Sequence, residues 1–253
     1  MQKTALISGA TSGIGQACAL EFAKANYNLI ITGRRTERLT ELKTKLEKEY
    51  SIKVQSLTFD IRNFKECEAA VESILPDFET IDVLINNAGL SLGLNSVENG
   101  VLDDWERMID TNVKGLLYLT KCIIPKMIER KSGHIINLGS IAGKEAYKNG
   151  NVYCASKHAV DALTKSLRID LLPYNIRVSS VCPGMVETEF SLVRFKGDEK
   201  LADDTYKGLE PLKASDIAET IYFVASRPKH VCINDILIMP TAQANTTHVV
   251  RNN

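Results

Sequence analysis

A doubly wound α/β fold, an open parallel sheet covered on both faces, is what this sequence predicts, and three observations predict it. Short β-rich apolar runs recur along the chain, helix-like stretches separate each run from the next, and a glycine-rich turn follows the first run directly. The runs fall at residues 4–8, 29–32, 54–59, 83–86, 134–138, 176–182 and 236–239. Between the first two, residues 14–24 alternate apolar and polar turns; residues 36–50 put Leu39, Leu42 and Leu46 on one face with Glu, Arg and Lys outside. Spacings of three and four suit an amphipathic helix. Connections long enough to hold a helix force parallel pairing with right-handed crossovers, and ligands on such sheets bind beyond the carboxyl ends of the strands. Residues 187–210, before the helix near Ser215, show neither period. An insertion of that length reads as a substrate lid, with a solvated excursion as the alternative. The whole chain, 1–253, reads as one domain carrying this lid.

Composition narrows the function. Thirty-one Lys and Arg balance 31 Asp and Glu, so electrostatic capture of a nucleic acid is disfavoured. A hydrophobic share of 44% and a charged share of 25% are those of an ordinary soluble globule. No run of about 18 apolar residues predicts a membrane span, and no secretory apolar region follows the start. The 6 cysteines and 4 histidines do not cluster, so no metal site is expected. The cysteines suit small core hydrophobes of a reduced, cytoplasmic protein.

Ser8-Gly9-Ala10-Thr11-Ser12-Gly13-Ile14-Gly15 lies between the first strand and the first helix. Glycine there permits positive φ in a tight turn and lets a pyrophosphate approach the N–H groups of a helix N-terminus. A purely structural turn is the alternative. The second strand ends in Thr32-Gly33-Arg34-Arg35, where an NAD-binding chain would place an acid on the ribose 2′-hydroxyl. Two guanidiniums offer charge-assisted bonds to a 2′-phosphate instead, so the cofactor expected is NADP. Otherwise Arg34 and Arg35 belong to the solvated start of the next helix, a place unfavourable to cations. Asp60, followed by Ile61, closes the third strand with an acceptor for the adenine amine, unless it only forms a turn. Asn86-Asn87-Ala88-Gly89 ends the fourth with small residues where backbone lies close to a ligand.

Tyr153 and Lys157 are four residues apart in a helical pattern, hence on one face about 6 Å apart. A free phenol, with a pKa near 10, is a poor base at neutral pH; an adjacent ammonium and an oxidised nicotinamide would favour the phenolate. A shift of two units takes about 2.7 kcal/mol. Alone, Tyr-x-x-x-Lys is equally an interfacial tyrosine beside a solvated lysine. Ser140, after the fifth strand, could bond the substrate oxygen or merely cap a turn. Asn112, a poor helix residue within a helical pattern, could hold a water beside Lys157 or mark a kink.

The glycine loop, Asn86-Asn87-Ala88-Gly89, Asn112, Ser140, Tyr153-x-x-x-Lys157 and Pro183-Gly184 resemble, in order and spacing, the short-chain dehydrogenase/reductase family over essentially the whole chain. The resemblance implies a seven-stranded parallel sheet of Rossmann type and a homotetramer, in which Tyr153 is the acid/base and Lys157 binds ribose hydroxyls and lowers the tyrosine pKa. It further implies that Ser140 orients substrate and Asn112 completes a water-linked proton relay. Pro183, Gly184, Val186 and Thr188 look like the family's nicotinamide clamp, and Ser8 stands where the family more often has Thr. Thr32-Gly33-Arg34-Arg35-x-Glu37-Arg38-Leu39, the run from Thr188 to Gly197, and Met239-Pro240-Thr241-x-Gln243 resemble the NADP-dependent 3-hydroxy acid dehydrogenases, which act on serine, allo-threonine and related small hydroxy acids. A carboxylate substrate calls for a cation at the cleft mouth, and the expected lid carries Arg194 and Lys196. A broad carbonyl or 3-ketoacyl-carrier-protein reductase would use the same residues. A non-catalytic NADP sensor would be expected to lack Tyr153 or Lys157.

Overall fold

The computed structural model describes residues 2–78 and 80–252. Strand β1 (Thr4–Ile7) leads into α1 (Gly13–Lys24), β2 (Asn28–Gly33) into α2 (Thr36–Glu49), and β3 (Val54–Thr58) into α3 (Phe64–Glu72). After β4 (Val83–Asn86), α4 (Leu102–Ile109) passes through a π-helical turn, Asp110–Gly115, into α5 (Leu116–Glu129). Then come β5 (Gly133–Leu138), α6 (Asn151–Leu171) and β6 (Ile176–Pro183). A short strand β7 (Val186–Glu187), helices α7 (Glu189–Arg194) and α8 (Glu199–Asp204), strand β8 (Leu212–Lys213), α9 (Ala214–Ala225) and β9 (Asp235–Ile238) follow.

Seven strands form one parallel sheet in the order β3-β2-β1-β4-β5-β6-β9. Alternation along each strand explains why both faces are covered. Ala5, Ile7, Leu29, Ile31, Val83 and Ile85 pack with Phe22 of α1, Leu39 of α2 and Ile221 of α9. The intervening Leu6, Ile30 and Leu84 pack on the other face with Cys67 of α3 and Leu119 and Ile123 of α5. Strands buried on both faces read as continuous apolar runs, which is why those seven segments stood out. Their ends differ from the sequence expectation by about one residue, within the fraying of any element boundary. The strand order reverses between β1 and β4, and a crevice opens beyond their carboxyl ends at such a reversal.

Helix α6 buries Tyr153, Lys157, Val160, Thr164 and Leu171. Steps of three, four and seven put them on one stripe, so the tyrosine and lysine point inward with the core residues. Residues 187–210 are more ordered than their sequence suggested: α7 and α8 stand between the paired strands β7 and β8. Helices of 6 residues are too short to show a period. Beyond β9 the chain turns back across this segment. Gln243 Oε1 accepts from Met185 N at 2.9 Å, Asn252 N donates to Gly208 O at 2.7 Å, and the Arg251 guanidinium donates to the Lys207 and Thr205 carbonyls. Among the described residues, no helix is long and apolar enough to cross a membrane.

Candidate active site

A cleft of about 360 Å³ opens at the carboxyl end of the sheet. The loop after β1 supplies Gly9, Thr11, Ser12, Gly13 and Ile14, and the end of β2 supplies Arg34 and Arg35. Asp60 and Ile61 follow β3, Asn87, Ala88 and Gly89 follow β4, and Ser140 follows β5. Tyr153 and Lys157 enter from α6, and Pro183, Gly184, Val186 and Thr188 from the end of β6. The expected site residues outside this lining are Gly15, Asn112 and Arg194.

The glycine loop fits a dinucleotide. Gly9 and Gly13 have φ of +69° and +53°, the left-handed region that favours glycine. A Cβ on Gly15 would stand 2.3 Å from Gly9 O and 2.5 Å from Asn87 Nδ2, so its hydrogen side chain lets α1 close against the loop. Ser8 Oγ accepts from the backbone N–H of Asn87 and Ala88, both at 3.0 Å, and Asn87 Nδ2 donates to Ser8 O at 2.9 Å. A hydroxyl at position 8 therefore couples the first and fourth loops, as a threonine there would.

The two arginines after β2 are unequal. Arg34 is 56% exposed, and its nearest charged partner is Asp60, at 4.0 Å. Arg35 donates from Nε and Nη2 to Thr11 Oγ1, from Nη2 to Ser12 Oγ, and from Nη1 to Glu189. The sequence treated them as an equivalent pair; the structure leaves mainly Arg34 uncommitted. Asp60 is likewise engaged, chelated by Arg62 through Nε at 3.0 Å to both oxygens and Nη2 at 2.6 Å. Those bonds hold its carboxyl below the usual range, so an adenine amine at this edge would meet a carboxylate already shared with Arg62.

Asn112 sits in the π-helical turn. Its Oδ1 accepts from Leu90 N at 2.8 Å, and its Nδ2 donates to Leu90 O and Ser156 Oγ at 2.8 and 3.0 Å. Ser156 Oγ donates onward to Tyr153 O. The wider turn lets one amide grip both polar atoms of a neighbouring residue and brace the fourth loop against α6. Such turns recur at functional sites.

Tyr153 and Lys157 are both buried. Lys157 Nζ donates to Leu138 O at 2.8 Å and lies 6.0 Å from the centre of the Tyr153 ring. Burial brings its ammonium down to about 8. Burial likewise pushes the Tyr153 phenol up to about 12, against which the Arg194 cation and a hydrogen bond with Ser140 pull down. In the protein alone the phenol is thus poised as an acid; the phenolate expected from sequence calls for an oxidised nicotinamide beside it as well as the lysine. The lysine is engaged by a carbonyl, and the nearer cation is Arg194, whose guanidinium lies 5.3 Å from the tyrosine ring centre and 5.1 Å from that of Phe190. Ser140 Oγ accepts from Ala142 N at 3.1 Å, capping a short turn while facing the phenol.

Sequence reasoning missed what holds Arg194. Its Nε donates to Ser91 Oγ at 3.1 Å and its Nη2 to Tyr147 Oη at 3.2 Å. Phe190 packs edge-on against Tyr153, ring centres 5.7 Å apart, so α7 lies directly over the phenol. Lys196 is drawn away to Asp104 at 2.8 Å.

A glycine-lined dinucleotide cleft that ends at a buried tyrosine and lysine on one helix defines the class. Residues 3–198 match the short chain dehydrogenase family, and the chain belongs to that family, an oxidoreductase. Particular relatives narrow the comparison. The NADP-dependent 3-hydroxy acid dehydrogenase of Schizosaccharomyces pombe is 44% identical over 250 residues, 98% of this chain and 96% of that one. Sulfoacetaldehyde reductase 2 of Chromohalobacter salexigens is 44% identical over 245 residues, 96% of each. The closed form of a serine dehydrogenase complexed with NADP+ superposes with a TM-score of 0.92 at 41% identity, covering 99% of this chain and 100% of that one.

Proposed function

We propose that this oxidoreductase transfers a hydride between NADP and the hydroxyl-bearing carbon of a small 3-hydroxy acid such as serine or allo-threonine. The observation that carries the substrate reading is Arg194. Among the described residues it uses two of its five N–H donors on protein, so the rest can take an anionic head beside the Tyr153 phenol. The names of the similar proteins support the reading, since a 3-hydroxy acid, sulfoacetaldehyde and serine are all small molecules with an acidic group.

The glycine loop would hold NADP, Arg34 would be free to bond its 2′-phosphate, and the group would supply or accept the hydride. In the reductive direction Tyr153 Oη donates its proton to the developing alkoxide, and Ser140 Oγ donates a hydrogen bond to the same oxygen, each such donor worth a few kcal/mol in the transition state. In oxidation the phenolate accepts the hydroxyl proton. Lys157 supplies positive charge beside the ribose and the phenolate, Asn112 keeps the fourth loop and α6 in register, and Phe190 with Arg194 excludes water from above, which makes residues 187–210 the lid. Apolar side chains at Leu102, Ile169 and Leu172, 69%, 73% and 74% exposed, suit burial between copies in a homotetramer, which light scattering would check. The six cysteines are free thiols, which suits a reducing cytoplasm.

The test is NADPH formation from serine, allo-threonine and 3-hydroxyisobutyrate against simple alcohols of like size, repeated with NAD. Strong preference for the acids and for NADP is expected. Equal rates on uncharged alcohols would refute the acid reading, and equal use of NAD the cofactor reading.

A further inference from the structure

Glu189 opens α7 at a position the proposed reaction does not use. Its Oε2 accepts from Arg35 Nη1 at 2.9 Å and its Oε1 from Arg38 Nη1 at 2.6 Å. One carboxylate, 40% exposed, therefore holds two guanidiniums from the start of α2. Arg35 does not depend on it for orientation. Its Nε and Nη2 reach Thr11 Oγ1 at 3.1 and 2.8 Å, and Nη2 also reaches Ser12 Oγ at 2.8 Å. The glycine loop thus aims Arg35 along the edge where the cofactor's adenine ribose would lie, and Glu189 takes one of the two N–H groups left on Nη1.

We propose that Glu189 sets cofactor selectivity by competing with the 2′-phosphate of NADP for Arg35 and Arg38, an inference that rests on the NADP reading above. A ribose 2′-phosphate carries a charge near −2 and bonds guanidinium as a carboxylate does. Two anions on the same two arginines repel and share their charge, so Glu189 weakens what the phosphate gains from the donors still free. NAD, neutral at that oxygen, leaves the contact intact. Glu189 adjoins Phe190, which packs on Tyr153, so the same exchange slackens the start of α7 over the phenol. The coupling is reciprocal: whatever Glu189 takes from phosphate binding, bound phosphate takes from the hold on α7.

The experiment is isothermal titration of the cofactor-free protein with NADP+ and with NAD+, for wild type and Glu189→Gln, at low and high salt. Glu189→Gln keeps the shape and removes the charge. Its Kd for NADP+ should fall roughly two- to fivefold, the scale of a partly exposed ion pair, with the Kd for NAD+ unchanged and the gain shrinking at high salt. An unchanged or weaker NADP+ affinity in Glu189→Gln, or an equal gain for NAD+, overturns the proposal. A wild type that already binds NAD+ as tightly as NADP+ overturns the cofactor reading itself, and the unmutated protein alone reveals that case.

Discussion

Replacing Arg194 by Met removes a guanidinium while keeping an unbranched chain over Phe190. Two effects follow from its position. The cation lies 5.3 Å from the centre of the Tyr153 ring, where a unit charge at an effective dielectric near 20 is worth about 3 kcal/mol before solvent screening reduces it. That loss raises the phenol's pKa and slows oxidation of every substrate alike. The second effect belongs to acids alone. A carboxylate bonded to the remaining guanidinium donors is a charge-assisted contact worth about 1.5–3 kcal/mol, or roughly 10- to 100-fold in kcat/KM. The informative quantity is therefore a ratio: kcat/KM for 3-hydroxyisobutyrate over that for its methyl ester, from initial rates of NADPH formation. The ratio should drop 10- to 100-fold in Arg194→Met, about the contact energy just given. A parallel fall for acid and ester, leaving the ratio as it was, would mean that Arg194 serves only the tyrosine, and the substrate reading would fail.

Tyr153→Phe should cost at least about a hundredfold in turnover, the lower end of acid–base contributions, while titrations show NADP+ still bound; retained turnover would remove Tyr153 from its role. Because burial holds the phenol up, near 12 in the protein alone, oxidation should quicken as pH rises toward its apparent pKa and reduction should slow above it, and the rate profile of Arg194→Met should shift to higher pH. Arg34→Ala should weaken NADP+ about tenfold and leave NAD+ nearly untouched, whereas Arg35→Ala, which also frees Thr11 and Ser12, should weaken both; identical titrations for the two variants would contradict the division of labour. His134 is buried with Nε2 2.8 Å from Ser179 Oγ, and burial pushes its imidazole down to about 3. The unfolded chain takes up that proton near pH 6.5, so the contribution to stability is full above 6.5 and drains toward pH 3, costing up to about 2 kcal/mol between pH 7 and 5. Urea unfolding of His134→Asn should show a correspondingly smaller loss over that interval.

What the chain discloses before folding is whatever depends on local periodicity. Short apolar runs disclosed the seven strands, glycine spacing the phosphate loop, and a separation of four the pairing of Tyr153 with Lys157. Long-range commitments stayed hidden. Ser91 and Tyr147 grip Arg194 across separations of 103 and 47 residues, and no local pattern marks either. Arg34 and Arg35 look alike in sequence; only the folded neighbourhood, with Glu189 arriving from 154 residues away, tells them apart. Asn112 was singled out as a poor helix residue, but the π-helical turn that gives its amide two polar partners on Leu90 requires an i→i+5 geometry that composition does not signal.

The returning tail has a practical side for anyone handling the molecule. Gln243, Arg251 and Asn252 fasten Met185 and residues 205–208, whereas Gln2 pairs with Asn26 at the far end of the sheet. A purification handle on the leading end would hang free of the chemistry. One appended to the trailing end, or a protease nick there, would tug on the roof of the catalytic chamber from outside.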